Sequence, residues 1–356
     1  MAPSRLLTRG IALLISCLGI GLAAVRAGRE SVTGEREPAG TLTEAAPAVE
    51  SRALCVPDRI NRGLVSEPDK WLDSLAWFLT HGIQSDSHKV RAIHDWVTLH
   101  VRYDTAGLAG DGSGGQRVGD VLRTRRSACG GYANLFGELC RLSGLKCVTV
   151  QGYARGAGFR VLDRQAPGQF EHVWNAVMVD GRWQLVDATW DSGWFRDGIV
   201  YEQHYSTDYL FPDPVWLVHT HLPDDPSWQL LAQPVSKDEF EDLPYLTAEF
   251  FRLGLGLESD LKRVSEPAGE FRVQLHVPRG VSVFCLLLAP DGRKTGQPID
   301  GVRTGGSVRF SVAPPSAGDW VAVVLARRGT PGGRYSGVAF LGLRTAAPCQ
   351  KSGTRR

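Results

Sequence analysis

Glu171-His172-Val173-Trp174-Asn175-Ala176-Val177-Met178-Val179, then Asp180-Gly181, then Arg182-Trp183-Gln184-Leu185-Val186-Asp187-Ala188-Thr189-Trp190 is the stretch from which the rest of the chain can be read. Two β-prone runs joined by Asp-Gly give a hairpin with a type I′ turn, because both turn positions need positive φ and these residues tolerate it. If Val179 faces Arg182, then Trp174 faces Asp187, and His172 is the diagonal neighbour of Asp187. Strand alternation puts all three side chains on one face. Diagonal neighbours lie roughly 7–8 Å apart at the backbone, within reach of a His–Asp hydrogen bond. The hairpin alone therefore sets an imidazole against a carboxylate that can orient it.

Working upstream, Ser127-Ala128-Cys129-Gly130-Gly131-Tyr132-Ala133-Asn134-Leu135-Phe136 reads as a small-residue turn handing over to a helix. Ala133, Phe136, Leu139 and Cys140 fall at the spacing of a buried helical stripe. Cys129 instead stands at the helix mouth, where unpaired backbone N–H groups and the positive end of the dipole favour thiolate over thiol. Taken singly, a lone cysteine is a small buried hydrophobe and a His–Asp contact is a satisfied core pair. Taken together, Cys129, His172 and Asp187 supply the nucleophile, base and orienting acid of acyl transfer. The Cys129 N–H is a candidate first donor to the oxyanion.

As a set, Cys-Gly-Gly-Tyr-Ala at 129, Glu-His-Val-Trp-Asn at 171 and Leu-Val-Asp-Ala-Thr-Trp-Asp at 185 resemble the transglutaminase-like superfamily of papain-type folds, and more closely its kyphoscoliosis peptidase branch. The resemblance runs over about residues 71–257. It takes in Val90-Arg91-Ala92-Ile93-His94-Asp95-Trp96-Val97 and the stretch Thr220-His221-Leu222-Pro223-Asp224-Asp225-Pro226-Ser227-Trp228. It implies a catalytic helix packed on an antiparallel sheet, with the family's nucleophile, base and acid falling on Cys129, His172 and Asp187. It also implies protein substrates, with cytoskeletal and extracellular-matrix proteins as candidate partners, and peptide hydrolysis, transamidation or deamidation through an acyl-thioester. Trp174 and Trp190 are candidates for substrate-binding walls, with Trp183 and Trp194 behind them.

The bounds are consistent with such an enzyme. The chain has 356 residues, enough for one large or two medium domains. Arg5 and Arg9, an apolar run over 11–25 and the small residues before Ala27 read as a secretory signal peptide over 1–27, with a membrane anchor by an uncleaved signal as the alternative. Its removal leaves 37 basic against 38 acidic side chains, a net charge of −1 with histidine neutral. Nothing in that balance drives binding to nucleic acid or to a specific membrane lipid. Cys55, Cys140, Cys147, Cys285 and Cys349 form no dense disulfide framework. Neither Cys nor His recurs at zinc spacing, and no calcium loop is present, so the sequence calls for no metal and no cofactor. The basic knot Arg123, Arg125 and Arg126 just before Cys129 is a solvated loop, or else an aid to the thiolate or a selector of acidic substrates.

Composition divides the rest. Residues 28–55 are rich in Gly, Pro, Ala and Glu and read as a flexible linker. Helices are expected after Ser66-Glu67-Pro68, with Leu72, Leu75, Phe78 and Leu79 on one side, and over 87–99. The glycines of 106–115 mark a mobile loop; no Gly-Lys-Ser/Thr follows, which excludes a phosphate loop. A strand over 146–153 precedes the hairpin. The whole makes an α+β, papain-like core over 56–258. Short strands over 271–277, 281–288, 307–312 and 320–326, separated by Gly/Pro turns, make a β-sandwich over 265–346, followed by a disordered tail over 347–356. Two functions fit: a secreted thiol acyl-transferase or peptidase, or a non-catalytic scaffold that binds through its sandwich. The oligomeric state is left open.

Overall fold

The computed structural model describes residues 52–105, 116–156, 159–163, 171–196, 200–329 and 333–346. The expected signal peptide over 1–27, most of the expected linker, the expected loop over 106–115 and the expected tail over 347–356 lie outside the described residues. No helix among the described residues is long and apolar enough to cross a membrane.

The hairpin forms in the expected register. Asp180 and Gly181 take φ of 48° and 77°, and Val179 pairs with Arg182 through to Asn175 with Val186. The second strand stops at Val186, earlier than its β-prone sequence suggests. Asp187 caps a short helix, Ala188–Ser192, its side chain accepting from the Thr189 and Trp190 amides. Asp before Ala-Thr-Trp is an N-cap pattern, and the amides it satisfies would otherwise be orphaned. The hairpin extends into a four-stranded antiparallel sheet in the order Arg182–Val186, Glu171–Val179, Cys147–Ala154, His221–Pro223.

Helix Cys129–Leu142 packs on this sheet by burying Tyr132, Leu135, Phe136, Leu139 and Cys140. The pair Gly130-Gly131 lets its mouth close up: a Cβ on Gly131 would lie 1.9 Å from Ser127 Oγ. Asn175 Nδ2 donates to the Ala133 carbonyl at 3.2 Å and ties the helix to the hairpin. Helices Pro68–Thr80 and Asp86–His100 pack behind, the first with proline in its opening turn and Leu72, Leu75 and Leu79 buried. The chain is already folded at the end of the expected linker. Ala53 is buried in this core, and Arg52 donates to the His81 carbonyl at 2.7 Å.

The second unit is a sandwich. One sheet orders Gly256–Leu257, Phe271–His276, Ser307–Val312, Val302–Thr304; the other orders Val264–Ser265, Ser336–Thr345, Gly318–Arg328, Val281–Leu288. Ser336–Thr345 is a ten-residue strand not among those read from sequence. The sandwich core also takes in Leu246, Phe250, Leu253, Leu255 and Leu261, so packing passes to this unit before the change of pattern near Glu258. The two units are sewn together. Phe159, Val161 and Leu162 pack on Leu286, Leu288, Val323 and Phe340. Arg263 donates to the carbonyls of Val161 and Asp163, and Arg344 to that of Leu162 at 2.7 Å.

Candidate active site

Cys129 is the first residue of its helix and is half-buried. Burial opposes its ionisation, but the hydrogen bond and charge of His172 and the Val173 N–H outweigh burial and lower its pKa. The Asp187 charge works weakly the other way. Cys140, eleven residues further along the same helix, has its thiol pushed well up by burial and by contact with Cys147. One helix thus carries an activated thiol at its mouth and an inert one in its stripe.

His172 Nε2 and Asp187 Oδ2 are 2.6 Å apart. That leaves Nδ1 as the ring nitrogen for the Cys129 thiol, with which His172 is also hydrogen-bonded. Burial resists charge on the ring, yet Asp187 and Cys129 push its pKa up to about 10. Burial likewise opposes the Asp187 charge, but His172 and His221 hold that carboxyl well below the usual range. Asp187 Oδ1 accepts from the amides of Thr189 at 2.9 Å and Trp190 at 3.1 Å. These shifts favour a thiolate–imidazolium pair backed by a fully bonded carboxylate.

The structure brings Cys129, His172 and Asp187 together and separates the two tryptophans. Trp190 lines a cavity of about 880 Å³ that Cys129 and His172 open into; Trp174 does not. Trp174 is buried, 2% exposed, and stacks on the His172 ring with centroids 5.9 Å apart. It holds the imidazole in place and forms no cavity wall. Trp194, Tyr245 and Phe340 also line the cavity, the last two from the sandwich side. Trp183 lies elsewhere, edge-on to Trp228. In the basic knot, Arg123 pairs with Asp120 at 3.1 Å and Arg125 lies over the Trp96 ring at 4.9 Å; neither is among the groups that shift the thiol.

Sequence reasoning quoted His221 but gave it no role. Its Nε2 lies 3.2 Å from Asp187 Oδ2, the oxygen that His172 uses. Each of His172, Asp187 and His221 offers one atom within 4.8 Å of the others, a donor set of a kind that suits transition metals. Here both imidazole nitrogens are engaged with one carboxylate oxygen at hydrogen-bond distance, so the trio is a bonded network complete in itself.

The fold agrees with comparisons to known proteins. Residues 73–188 match the transglutaminase-like superfamily, and residues 237–347 match the KY-like, immunoglobulin-like domain. Kyphoscoliosis peptidase of Homo sapiens is 39% identical over 186 residues, 52% of this chain and 28% of the relative. That of Mus musculus is 32% identical over 258 residues, 72% of this chain and 38% of the relative. Hillarin of Drosophila melanogaster is 27% identical over 306 residues, 77% of this chain and 36% of the relative. The chain thus spans about a third of the length of these relatives. It carries a transglutaminase-like domain followed by a KY-like, immunoglobulin-like domain, in that order.

Proposed function

We propose that this chain is a thiol-dependent acyl-transfer enzyme acting on protein substrates. The observation that supports the reading best is the placement of His172, with Nε2 on Asp187 at 2.6 Å and the Cys129 thiol on its other side. Cys129 Sγ attacks a substrate carbonyl carbon, and the C–S bond forms as the carbonyl pair moves onto oxygen. Collapse of that intermediate breaks the C–N bond, and the departing amine takes its proton from His172. Water or a second amine then gives a proton to His172 and attacks the thioester, and the C–S bond breaks to return the thiolate. Water gives hydrolysis or deamidation; an amine gives transamidation. The cavity walls come from both units and are rich in aromatic rings, which suits an extended polypeptide segment more than a small metabolite.

The test is alkylation of the purified chain with iodoacetamide across pH 4 to 9, read at each cysteine by peptide mass spectrometry. Cys129 should label fast well below its ordinary pKa of about 8.5, and His172→Ala should abolish that advantage, while Cys140 stays slow in both. Equal, slow labelling of Cys129 and Cys140, unchanged by His172→Ala, would sink the enzyme reading and favour a binding module. Casein with an amine donor then separates transfer from hydrolysis.

A further inference from the structure

We propose that His221 is a positioning residue of this site: its Nε2–H donates to the Asp187 oxygen that also holds His172, fixing the carboxylate and spreading its charge. The inference rests on the acyl-transfer reading above.

The geometry is built at long range. His221 opens the strand His221–Pro223, which pairs with Cys147–Ala154 through Ala154↔His221 and Gly152↔Pro223. Gly152 permits that pairing, since a Cβ there would come within 2.3 Å of the Leu222 carbonyl oxygen. The His221 ring is 2% exposed. It is walled by Trp190 at 4.5 Å, Trp174 at 5.2 Å and Tyr209 at 5.8 Å between ring centroids. The titratable groups facing it are Asp187, His172 and Tyr209. Burial keeps His221 on the neutral side, more strongly than Asp187 draws it towards charge, and burial keeps the Tyr209 phenol protonated.

An ionised carboxylate only accepts, so the neutral ring carries its proton on Nε2. Nδ1 is then an acceptor, and the Thr220 hydroxyl, 2.8 Å from it and 3.1 Å from the Leu217 carbonyl, can turn its one proton to the ring. Asp187 selects the tautomer and Thr220 supports it. Asp187 ends with four donors: two imidazole N–H groups on Oδ2 and two amides on Oδ1. Its charge is shared, so it supports the His172 imidazolium less than a carboxylate bonded to His172 alone would. Loss of the His221 donor should concentrate that charge on His172, retain its proton to higher pH and slow proton return to the leaving amine.

The measurement is the pH dependence of Cys129 alkylation in the full chain, followed to pH 10.5, for wild type, His221→Phe, His221→Gln, Thr220→Val and His172→Ala, with acyl-transfer rates alongside where a substrate is in hand. A hydrogen bond to a charged group is worth about a tenfold factor in an equilibrium. His221→Phe should therefore move the alkaline limb up by about one pH unit and slow acyl transfer about tenfold. His221→Gln keeps an N–H donor and should restore the wild-type profile. Thr220→Val removes the donor to Nδ1, weakens the hold on the ring and should shift the limb in the same direction by less. If His221→Phe does not fold, the Thr220→Val and His221→Gln profiles decide. A folded His221→Phe or Thr220→Val with the wild-type profile, beside a His172→Ala that loses activation, overturns this inference alone. A wild type whose Cys129 labels like Cys140 overturns it together with the acyl-transfer reading.

Discussion

His94 and His172 are both buried, both bonded to carboxylates and both shifted towards the protonated form, yet only one of them is placed to act as a base. His94 has Nδ1 on Asp95 and Nε2 on Asp191, each at 3.0 Å. Burial resists its charge and the two carboxylates overcome that resistance. Asp95 is held further by Arg91 and Tyr205, and Asp191 by Ser206 and the Tyr209 amide. Both ring nitrogens are thus spent on carboxylates, which favour the protonated ring, and His94 is fixed in a closed network. His172 gives one nitrogen to a carboxylate and keeps the other for a thiol beside a cavity. Burial and a raised pKa do not distinguish base from strut; the partner of the second nitrogen does. The two networks also share a part, since Asp187 caps the short helix Ala188–Ser192 that carries Asp191. The closed one anchors the open one.

The largest expected effects fall on the open network. Cys129→Ala should remove every covalent step while the fold is kept, because a half-buried thiol at a helix mouth contributes little packing. His172→Ala should lower kcat by about 10²–10⁴, the usual worth of a positioned acid–base group. A retained rate in either variant would break the contrast, for it would make His172 a second strut.

The next effect belongs to the closed network and should appear in stability. His94→Leu leaves Asp191 buried without a cationic partner and Asp95 with Arg91 alone, a loss of about 3–5 kcal/mol, read by urea unfolding at pH 6. The sign with pH follows from the raised pKa of His94. Its contribution is fully present below the unfolded value of about 6.5 and is lost as pH rises through the folded value, because the native state then holds a proton the unfolded chain has released. His172 adds a decline of the same sign, which the lowered pKa of its Cys129 partner offsets while the unfolded thiol stays protonated. Unfolding free energy of the wild type should therefore fall with pH above about 6.5, and less steeply in His94→Leu. An unchanged slope would mean that His94 is neutral in the folded protein.

This contrast was only half legible in the sequence. Asp-Gly fixed the hairpin locally, and alternation placed His172 and Asp187 on one face. The helix mouth at Cys129 was equally local. Leu185-Val186 make Asp187 look like a strand residue, although Asp-Ala-Thr-Trp carries a capping signal. Trp174 was placed on the correct face, but alternation cannot say that it lies behind the imidazole and not before it. His221 reaches Asp187 only through the pairing of Ala154 with His221, 67 residues away in sequence, and no local pattern announces that. Ser336–Thr345 was missed because Gly337 and Gly342 dilute its β-character. Gly342 is where the two units meet, since a Cβ there would come within 2.9 Å of Leu162 Cδ2.

The smallest expected effect tests whether the open network faces the substrate. Trp194 stands on the strand Gly193–Arg196, lines the cavity and is 37% exposed. Its partial exposure in the free protein leaves apolar ring surface for a bound polypeptide to cover. Removing that surface should cost about 1 kcal/mol of binding at 25 cal/mol per Å², or about a fivefold rise in KM. The ring touches no reacting group, so kcat for Trp194→Ala should stay as in wild type, as should the pH profile of Cys129 labelling. A small acyl donor that cannot reach Trp194 should show no change at all. A KM for protein substrate that also fails to move would place the polypeptide outside this cavity. The open side of His172 would then face solvent, and the base would be distinguished from the strut by its thiol alone.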